Sequence, residues 1–273
     1  MFSEFHPLQL SEIISQRISA SQVYNDPLPH IIIDNLLPDK VAKICSDEIE
    51  QYGQPTDNFI VYNDIDQSKK LNSLGGLNCL PPQLFDIATA INTSSVLRSI
   101  QEKLLIDDIL IPDPYLEGGG IHKTSSGGYL GMHRDFQFHP VSSLVRRVNL
   151  IIYFNRNWLA NYNGSLSLRS NPKSTLGPDI SPNFNRVVVF RTDKEGFHGF
   201  PQPIICPADV TRKSFALYFY SASISNTQDT TTIFFTPRHV FKTANLKLRL
   251  QLSLRKLLPP IFYDFIHTIR KIM

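Results

Sequence analysis

From Leu110 to Ser223 the chain consists of short runs of β-branched and aromatic residues, separated by glycine, proline and asparagine. Runs of this length and composition are typical of β-strands. The predicted strands are residues 118–123, 129–135, 145–155, 164–169, 186–192, 203–206 and 212–223. Short strands at this spacing favour a mainly β fold with a jelly-roll core (a double-stranded β-helix), in which two sheets close over a cleft.

The residues before this region have helical patterns. A weak amphipathic helix is predicted over residues 8–24, a short strand over 29–35, a helix from Asp39 to Gly53 and a helical zone over 82–105. These helices are expected to buttress one sheet, and loops 55–78 and 156–183 are expected to border the substrate cleft. The predicted domains are a support region (1–117), a jelly-roll core (118–225) and a basic amphipathic extension with helical character (226–273).

The C-terminal extension is strongly basic. Residues 238–273 contain eight lysines and arginines against one acidic residue, Asp264. Residues 246–254 alternate like a strand, but their leucines also fit a helical stripe; residues 261–272 predict an amphipathic helix. This tail either packs on the core with a solvated basic face, or serves self-association, an anionic partner or a membrane surface. Few aromatic residues interleave with the basic ones, so no nucleic-acid partner is expected.

Composition excludes several classes of protein. The 273 residues are 42% hydrophobic and 19% charged, as in ordinary globular proteins. The 3 cysteines are too scattered for a disulfide framework or a zinc site, and their odd number fits a reducing compartment. No signal peptide and no apolar run approaching the ~20 residues of a membrane span is recognisable. A cytoplasmic location is therefore expected.

Four polar positions lie among the predicted strands: His133, Asp135, His198 and Arg212. His133 and Asp135 are two residues apart, which places both side chains on one face of a strand. Two histidines and one carboxylate can occupy one face of an Fe(II) ion and leave the opposite face open for substrate and O₂. An arginine binds a carboxylate through two parallel hydrogen bonds. The pattern therefore suits an iron site with a nearby dicarboxylate.

Longer motifs surround these positions. They are Gly127-Gly128-x-Leu130-x-x-His133-x-Asp135-Phe136, Arg147-x-Asn149-Leu150-x-x-Tyr153-x-Asn155-x-x-Trp158, Asn185-Arg186, His198-Gly199-x-Pro201 and Arg212-x-Ser214-x-Ala216-Leu217-Tyr218-x-Tyr220. With these motifs, residues 118–223 resemble the catalytic domain of the prolyl 4-hydroxylase-like branch of the 2-oxoglutarate/Fe(II)-dependent oxygenases.

The resemblance implies a set of roles. His133, Asp135 and His198 would ligate Fe(II), and Arg212 and Tyr153 would hold the distal carboxylate of 2-oxoglutarate. His122 lies near the position where relatives carry an aromatic contact to the cosubstrate. The implied cofactors are Fe(II), 2-oxoglutarate and O₂, with ascorbate in support. The implied reaction hydroxylates an unactivated C–H bond of a small-molecule or peptidyl substrate (a prolyl residue, a free amino acid or another small molecule) and releases succinate and CO₂.

One departure from the family pattern concerns the substrate. After the tryptophan, relatives usually have Gly-Gly followed by a strand with an acidic residue, whereas this chain has Gly164-Ser165-Leu166-Ser167-Leu168. Two other functions stay open at the sequence level. One is a catalytically silent jelly-roll binding or scaffold protein that uses its basic tail. The other is a metal-dependent cupin hydrolase or dioxygenase without 2-oxoglutarate, which would have no use for Arg212 and Tyr153.

Several residues have a structural interpretation. His139 is predicted to be an exposed loop histidine before Pro140 rather than a metal ligand. His30 and His239 are predicted at strand edges, and Trp158 and residues 218–220 are predicted to serve packing.

Overall fold

The computed structural model describes residues 6–192, 196–222 and 231–235. The helices in this part are α1 (Pro7–Ala20), α2 (Asp39–Gln51), α3 (Pro82–Ile91) and α4 (Ser94–Leu104). The strands are β1 (Val23–Tyr24), β2 (His30–Ile33), β3 (Phe59–Tyr62), β4 (Gln67–Ser73), β5 (Ile111–Pro112), β6 (Gly120–Arg134), β7 (Val145–Tyr153), β8 (Leu166–Arg169), β9 (Asp179–Ile180), β10 (Arg186–Arg191), β11 (Phe197–Phe200), β12 (Arg212–Ser221) and β13 (Ile233–Phe235). None of the described helices is long and apolar enough to span a membrane.

The strands form one curled antiparallel sheet in the order β1-β2-β10-β7-β12-β6-β11-β8-β9. Strand β6 connects the two halves of the sheet. It pairs with β12 near its start, with β11 and β13 near its end, and with β4 on both sides of its bend. Side chains from distant strands meet inside the curl: Tyr153 and Val188 pack with Leu166, Leu168 and Ile180. The predicted jelly roll is confirmed.

The helices cover one face of strands β7, β10 and β12. Because side chains alternate between the two faces of a strand, Val148, Leu150 and Ile152 of β7 join the core that contains the buried faces of the helices. Ile151 and Tyr153 point to the interior of the curl, where a cavity lies. The predicted role of the helices as a buttress is confirmed, and the same alternation places polar residues of β7 and β12 inside the curl.

Some predicted element boundaries are wrong. Residues 118–123 and 129–135 belong to a single strand, β6, which bends at Gly127 (φ 80°), a backbone conformation that glycine adopts at little cost. Residues 203–206 are not a strand, because Pro203 and Pro207 have no N–H to donate to a ladder. Ile204 bonds to the bend of β6: its carbonyl accepts from the Gly127 N–H at 2.7 Å, and its N–H donates to the Gly128 carbonyl at 2.9 Å.

Residues 55–78 are not the predicted loop. They contain the hairpin of β3 and β4, and β4 pairs with β6. The sequence of β4, Gln-Ser-Lys-Lys-Leu-Asn-Ser, has no alternation of apolar residues that would indicate a strand. The predicted loop 156–183 likewise contains β8 and β9, and the helical zone 82–105 is divided at Asn92 and Thr93. The predicted strand or helix of residues 246–254 and the helix of 261–272 lie outside the described residues.

Candidate metal centre and cosubstrate pocket

The three candidate metal ligands lie together at one end of the curl. His198 of β11 is the register partner of His133 on β6, and Asp135 follows the last residue of β6. The Nε2 atom of His133 is 3.5 Å from Oδ1 of Asp135, and Nε2 of His198 is 3.4 Å from Oδ2. The three ligand atoms lie within 4.8 Å of one another. Only His133 and Asp135 are neighbours in the sequence, and the pairing of β6 with β11 brings His198 to them.

Each of the two imidazoles has a ring nitrogen whose lone pair could bind a metal. The Nδ1 atom of His133 lies 2.9 Å from the Gly131 carbonyl oxygen. A carbonyl only accepts hydrogen bonds, so Nδ1 carries the proton and Nε2 offers its lone pair toward Asp135. Burial, followed by the nearby His133, lowers the pKa of His198 to about 3. His198 is therefore a neutral imidazole at physiological pH, the state that binds metals.

Asp135 is held by two residues of β7. The Asn149 side chain donates to Oδ2 of Asp135 at 2.8 Å, and Nη2 of Arg146 lies 3.1 Å from the same oxygen. Arg146 in turn donates from Nε to Oδ1 of Asn149 at 2.9 Å. Burial alone raises the pKa of Asp135, but Arg146 and the two histidines outweigh it and lower this pKa well below its usual range. The carboxylate is ionised and fixed in orientation.

Sequence reasoning missed Arg146 because a β-bulge changes the alternation of β7. Val148 is opposite Phe219 of β12, but Tyr220 is opposite Arg146, so Arg147 is the extra residue. The extra residue of a bulge shifts the alternation of the strand, so the side chain on its far side faces the opposite way from what strict alternation predicts. Arg146 therefore joins the interior of the curl, whereas Arg147 pairs with Asp108. The pattern of hydrophobic residues contains no signal for this shift.

Arg212 and Tyr153 lie side by side on neighbouring strands. Tyr153 is the register partner of Ser214, two residues after Arg212 on β12, and the Arg212 guanidinium carbon is 5.0 Å from the centre of the Tyr153 ring. Arg212 is 4% exposed and donates from Nε to the Gly164 carbonyl oxygen at 2.7 Å. No carboxylate within the described parts of the chain forms an ion pair with Arg212.

The Tyr153 hydroxyl is buried and has no hydrogen-bond partner among the described residues. Leaving a buried hydroxyl or a buried cation without a partner costs free energy. Both groups would be satisfied by one carboxylate placed between them, because Arg212 can donate two parallel hydrogen bonds and Tyr153 a third. The unsatisfied Tyr153 hydroxyl and the neighbouring Arg212, which has no carboxylate partner, fit the distal carboxylate of 2-oxoglutarate.

A cavity of about 250 Å³ connects the metal site with this pair. It is lined by all six residues singled out from the sequence: His122, His133, Asp135, Tyr153, His198 and Arg212. His122 is oriented by its Nε2 atom, 3.0 Å from the Gly118 carbonyl oxygen. Two polar residues of β4, Lys70 and Asn72, also line the cavity. Sequence reasoning missed them because β4 was predicted to be loop.

The prediction for His139 is half wrong. The side chain is buried (2% exposed), not exposed as predicted, and its Nε2 atom lies 3.2 Å from Oδ1 of Asp113. As predicted, His139 is not part of the metal cluster, and it does not line the cavity. Its Nδ1 atom accepts from the Val141 and Ser142 N–H groups, so the histidine stabilises its own loop. Asp113 is 26 positions upstream in a different turn, which no local pattern connects to His139. His30 is buried with Nδ1 against the Leu28 carbonyl oxygen, in agreement with a structural role.

Comparison with known proteins gives a family match. Residues 119–220 match the family described as the 2OG-Fe(II) oxygenase superfamily. No curated protein sequence matches the chain significantly.

Similar solved structures include several prolyl hydroxylases. A prolyl hydroxylase from Trichoplax adhaerens, solved in complex with a hypoxia inducible factor peptide fragment, has a TM-score of 0.53 at 16% identity, over 79% of this chain and 90% of that one. A prolyl-4-hydroxylase from Pseudomonas putida has a TM-score of 0.52 at 13% identity, over 78% of this chain and 100% of that one. A prolyl 4-hydroxylase from Phytophthora capsici has a TM-score of 0.51 at 16% identity, over 82% of this chain and 68% of that one. At these identities the likeness establishes the fold.

The matched segment contains the His-Asp-His cluster, Tyr153 and Arg212, and the surrounding fold is shared with prolyl hydroxylases. Residues 119–220 thus match the 2-oxoglutarate/Fe(II) oxygenase superfamily, and the chain shares its fold with prolyl hydroxylases. The protein is a dioxygenase whose cofactors are Fe(II) and 2-oxoglutarate.

Proposed function

We propose that this dioxygenase binds Fe(II) through His133, Asp135 and His198 and hydroxylates an unactivated C–H bond of an amino acid, a prolyl residue or another small molecule. The observation that carries the proposal is one cavity that contains the His-Asp-His cluster, the buried Arg212 and the unsatisfied hydroxyl of Tyr153. The cluster alone would also suit a metal enzyme without 2-oxoglutarate. The buried donors at the other end of the cavity favour a dicarboxylate cosubstrate.

The reaction balances with O₂ as oxidant. Fe(II), when bound, supplies the activation of O₂ that an unactivated C–H bond requires. One oxygen atom enters succinate as 2-oxoglutarate loses CO₂, and the other enters the new hydroxyl group of the substrate. 2-Oxoglutarate and the substrate C–H bond each supply two electrons, so no further reductant is consumed per turnover.

The protein's own residues bind and orient the reactants. Arg212 and Tyr153 hold the distal carboxylate, with Arg212 itself fixed by the Gly164 carbonyl. Arg146 and Asn149 keep the Asp135 carboxylate aligned with the two imidazoles. Phe234 of β13 stacks on His133 with ring centroids 5.1 Å apart and covers one side of the site. This apolar cover limits the access of water to the metal and its substrate.

Succinate formation tests the proposal. Purified protein is incubated with Fe(II), ascorbate and 2-oxoglutarate, and the Arg212→Ala and Asp135→Ala variants are compared with Arg156→Ala. Arg156 is a matched control, because it is an exposed arginine that pairs with Asp47. We expect succinate from the wild type and the Arg156→Ala variant, no turnover by Asp135→Ala, and a rise in the KM for 2-oxoglutarate of roughly 10- to 100-fold in Arg212→Ala.

Two results would contradict the proposal. Succinate production retained by the Asp135→Ala variant would exclude this cluster as the iron site. Iron binding without any 2-oxoglutarate binding, measured by calorimetry, would favour the metal enzyme without 2-oxoglutarate or the silent binding protein.

A further inference from the structure

Strand β4 places two polar side chains inside the curl. Lys70 and Asn72 are two residues apart on β4 and therefore point to the same face. Both line the cavity that contains the His-Asp-His cluster. Lys70 is 6% exposed and Asn72 is 5% exposed. These are buried polar groups on a strand that belongs to neither the metal site nor the Arg212–Tyr153 pair.

Lys70 is a buried cation without an anionic partner. Its Nζ atom contacts the Oε1 atom of Gln67 at the long distance of 3.5 Å and lies 5.6 Å from the centre of the Tyr62 ring. Within the described ranges of the chain, no carboxylate forms an ion pair with it. An ammonium group has three N–H donors, and burying it without a counter-charge is costly. A buried titratable group that lines a cleft is a candidate for a functional role, and here a ligand would have to supply the missing charge.

Asn72 adds an unsatisfied acceptor beside this cation. Its Oδ1 atom is buried and makes no hydrogen bond to any residue that the structure describes. A cation next to a free acceptor matches a ligand that carries a carboxylate and an adjacent N–H donor. Amino acids have this pattern, both as free molecules and at the carboxyl terminus of a peptide.

The charge of the cavity leads to the same ligand class. Its lining contains the cations Lys70, Arg146 and Arg212, and the carboxylates of Asp135 and the exposed Glu117. Asp135 pairs with Arg146, and Arg212 is assigned to 2-oxoglutarate. The three cations exceed the two carboxylates by one charge, and Fe(II) and the 2-oxoglutarate dianion neutralise each other. The loaded cavity therefore keeps one excess positive charge, and Lys70 is the cation to which no partner is assigned. An anionic substrate is therefore electrostatically favoured.

We propose that Lys70 binds a carboxylate of the primary substrate while Asn72 accepts from its adjacent N–H group, so that the substrate is a free amino acid or the carboxyl-terminal residue of a peptide. This inference rests on the proposed function, which assigns Arg212 rather than Lys70 to 2-oxoglutarate. A prolyl residue in the interior of a peptide has no carboxylate to offer Lys70 and would be a poor substrate.

Paired acids and amides test the proposal by calorimetry. The protein is loaded with Mn(II), which does not activate O₂, and with 2-oxoglutarate. The probes are the twenty L-amino acids, their carboxamides, and their N-acetyl derivatives, which imitate a peptide carboxyl terminus. We expect at least one free acid or N-acetyl acid to bind, and its amide to bind roughly tenfold or more weakly, because the amide lacks the charge. Free and N-acetyl acids distinguish the two sources of the carboxylate.

Lysine variants assign the effect to Lys70. We expect Lys70→Met to weaken binding of the acid by about 10- to 100-fold, Lys70→Arg to retain most of it, and Lys69→Met to behave as wild type. Lys69 is a matched control, because it is the preceding residue and its side chain is exposed, with Nζ donating to the Ser126 carbonyl.

Three outcomes would overturn the proposal. They are equal binding of acid and amide, no binding of any acid in the panel, and a Lys70→Met variant that loses 2-oxoglutarate as strongly as the acid, which would move Lys70 to the cosubstrate site. Failure of the proposed function gives a different result, because 2-oxoglutarate then does not bind the wild type. In that case, binding of the acids and amides is measured on the protein without 2-oxoglutarate.

Discussion

At the scale of single residues, the metal site depends on side chains that never touch the metal. Asp135 can ligate from a fixed direction because Asn149 and Arg146 both hold its Oδ2 atom. Partners of this kind commonly change metal affinity by about 10- to 100-fold when they are removed. Arg146 also keeps Asp135 ionised, because its positive charge opposes the effect of burial on the pKa of Asp135.

We predict that Asn149→Ala weakens Mn(II) binding by roughly 10-fold or more at pH 7, because Asp135 loses a hydrogen bond that fixes its orientation. Calorimetric titration with Mn(II) measures the effect. Asn171→Ala is the control, since Asn171 is an exposed loop residue. An unchanged dissociation constant in a folded Asn149→Ala variant would show that Arg146 alone orients Asp135.

Lys70 makes stability depend on pH. Burial, followed by repulsion from Arg212, lowers the pKa of Lys70 to about 8 in the folded protein, whereas an unfolded lysine titrates near 10.4. The unfolded chain therefore binds more protons between these values, and Lys70 increases the stability of the wild type as the pH rises through this window. Below pH 8 the ammonium is charged in both states and its burial is destabilising.

Accordingly, the ligand-free Lys70→Met variant should be more stable than the wild type at pH 7, by an amount on the order of 2–3 kcal/mol. Its advantage should shrink as the pH rises from 8 toward 10.5. Urea unfolding at pH 7 and pH 10 measures both differences, with Lys69→Met as the control. A difference that does not vary with pH would mean that Lys70 is solvated in the folded protein.

At the scale of elements, β6 determines the geometry of the site. Its start pairs with β4 and β12, which carry Lys70 and Arg212, and its end pairs with β11, which carries His198. The bend at Gly127 and Gly128 allows one strand to serve both halves of the curl. A Cβ atom on Gly128 would lie 2.5 Å from the Thr124 methyl carbon and 2.7 Å from the Ser68 carbonyl oxygen.

Gly128→Val should therefore separate β4 from β6 and destabilise the protein by about 1–3 kcal/mol. Thermal unfolding followed by circular dichroism measures the loss. Ser125→Ala, an exposed substitution in the same bend, should leave the melting temperature unchanged. A Gly128→Val variant as stable as the wild type would show that the bend relaxes without cost.

At the scale of the whole molecule, the metal and 2-oxoglutarate should both stabilise the fold, and the effect of 2-oxoglutarate should depend on the metal. In the proposed function, the metal would join β6 to β11 through His133 and His198, and 2-oxoglutarate would join β7 to β12 through Tyr153 and Arg212. A ligand that binds only the folded state raises stability according to its concentration relative to its dissociation constant. At 100 times that constant, the gain is about 2.7 kcal/mol.

We expect 2-oxoglutarate to raise the melting temperature strongly with Mn(II) present and weakly with chelator, because the keto acid end requires the metal. The Asp135→Ala variant should show the weak shift under both conditions. Thermal unfolding at saturating 2-oxoglutarate gives the comparison. Equal shifts with and without metal would mean that 2-oxoglutarate binds away from the His-Asp-His cluster.

The sequence by itself determined the class of fold and the chemical type of the site. Repeated short β runs predicted the jelly roll, and the order of His133, Asp135, His198 and Arg212 indicated an iron and dicarboxylate site, because these features reside in local patterns and residue types. Only the tertiary structure revealed Arg146, Lys70 and Asn72. Arg146 enters the cavity because a bulge in β7 changes its face, and β4 is a strand because it pairs with β6. Both depend on contacts between residues distant in the chain, which local periodicity does not encode.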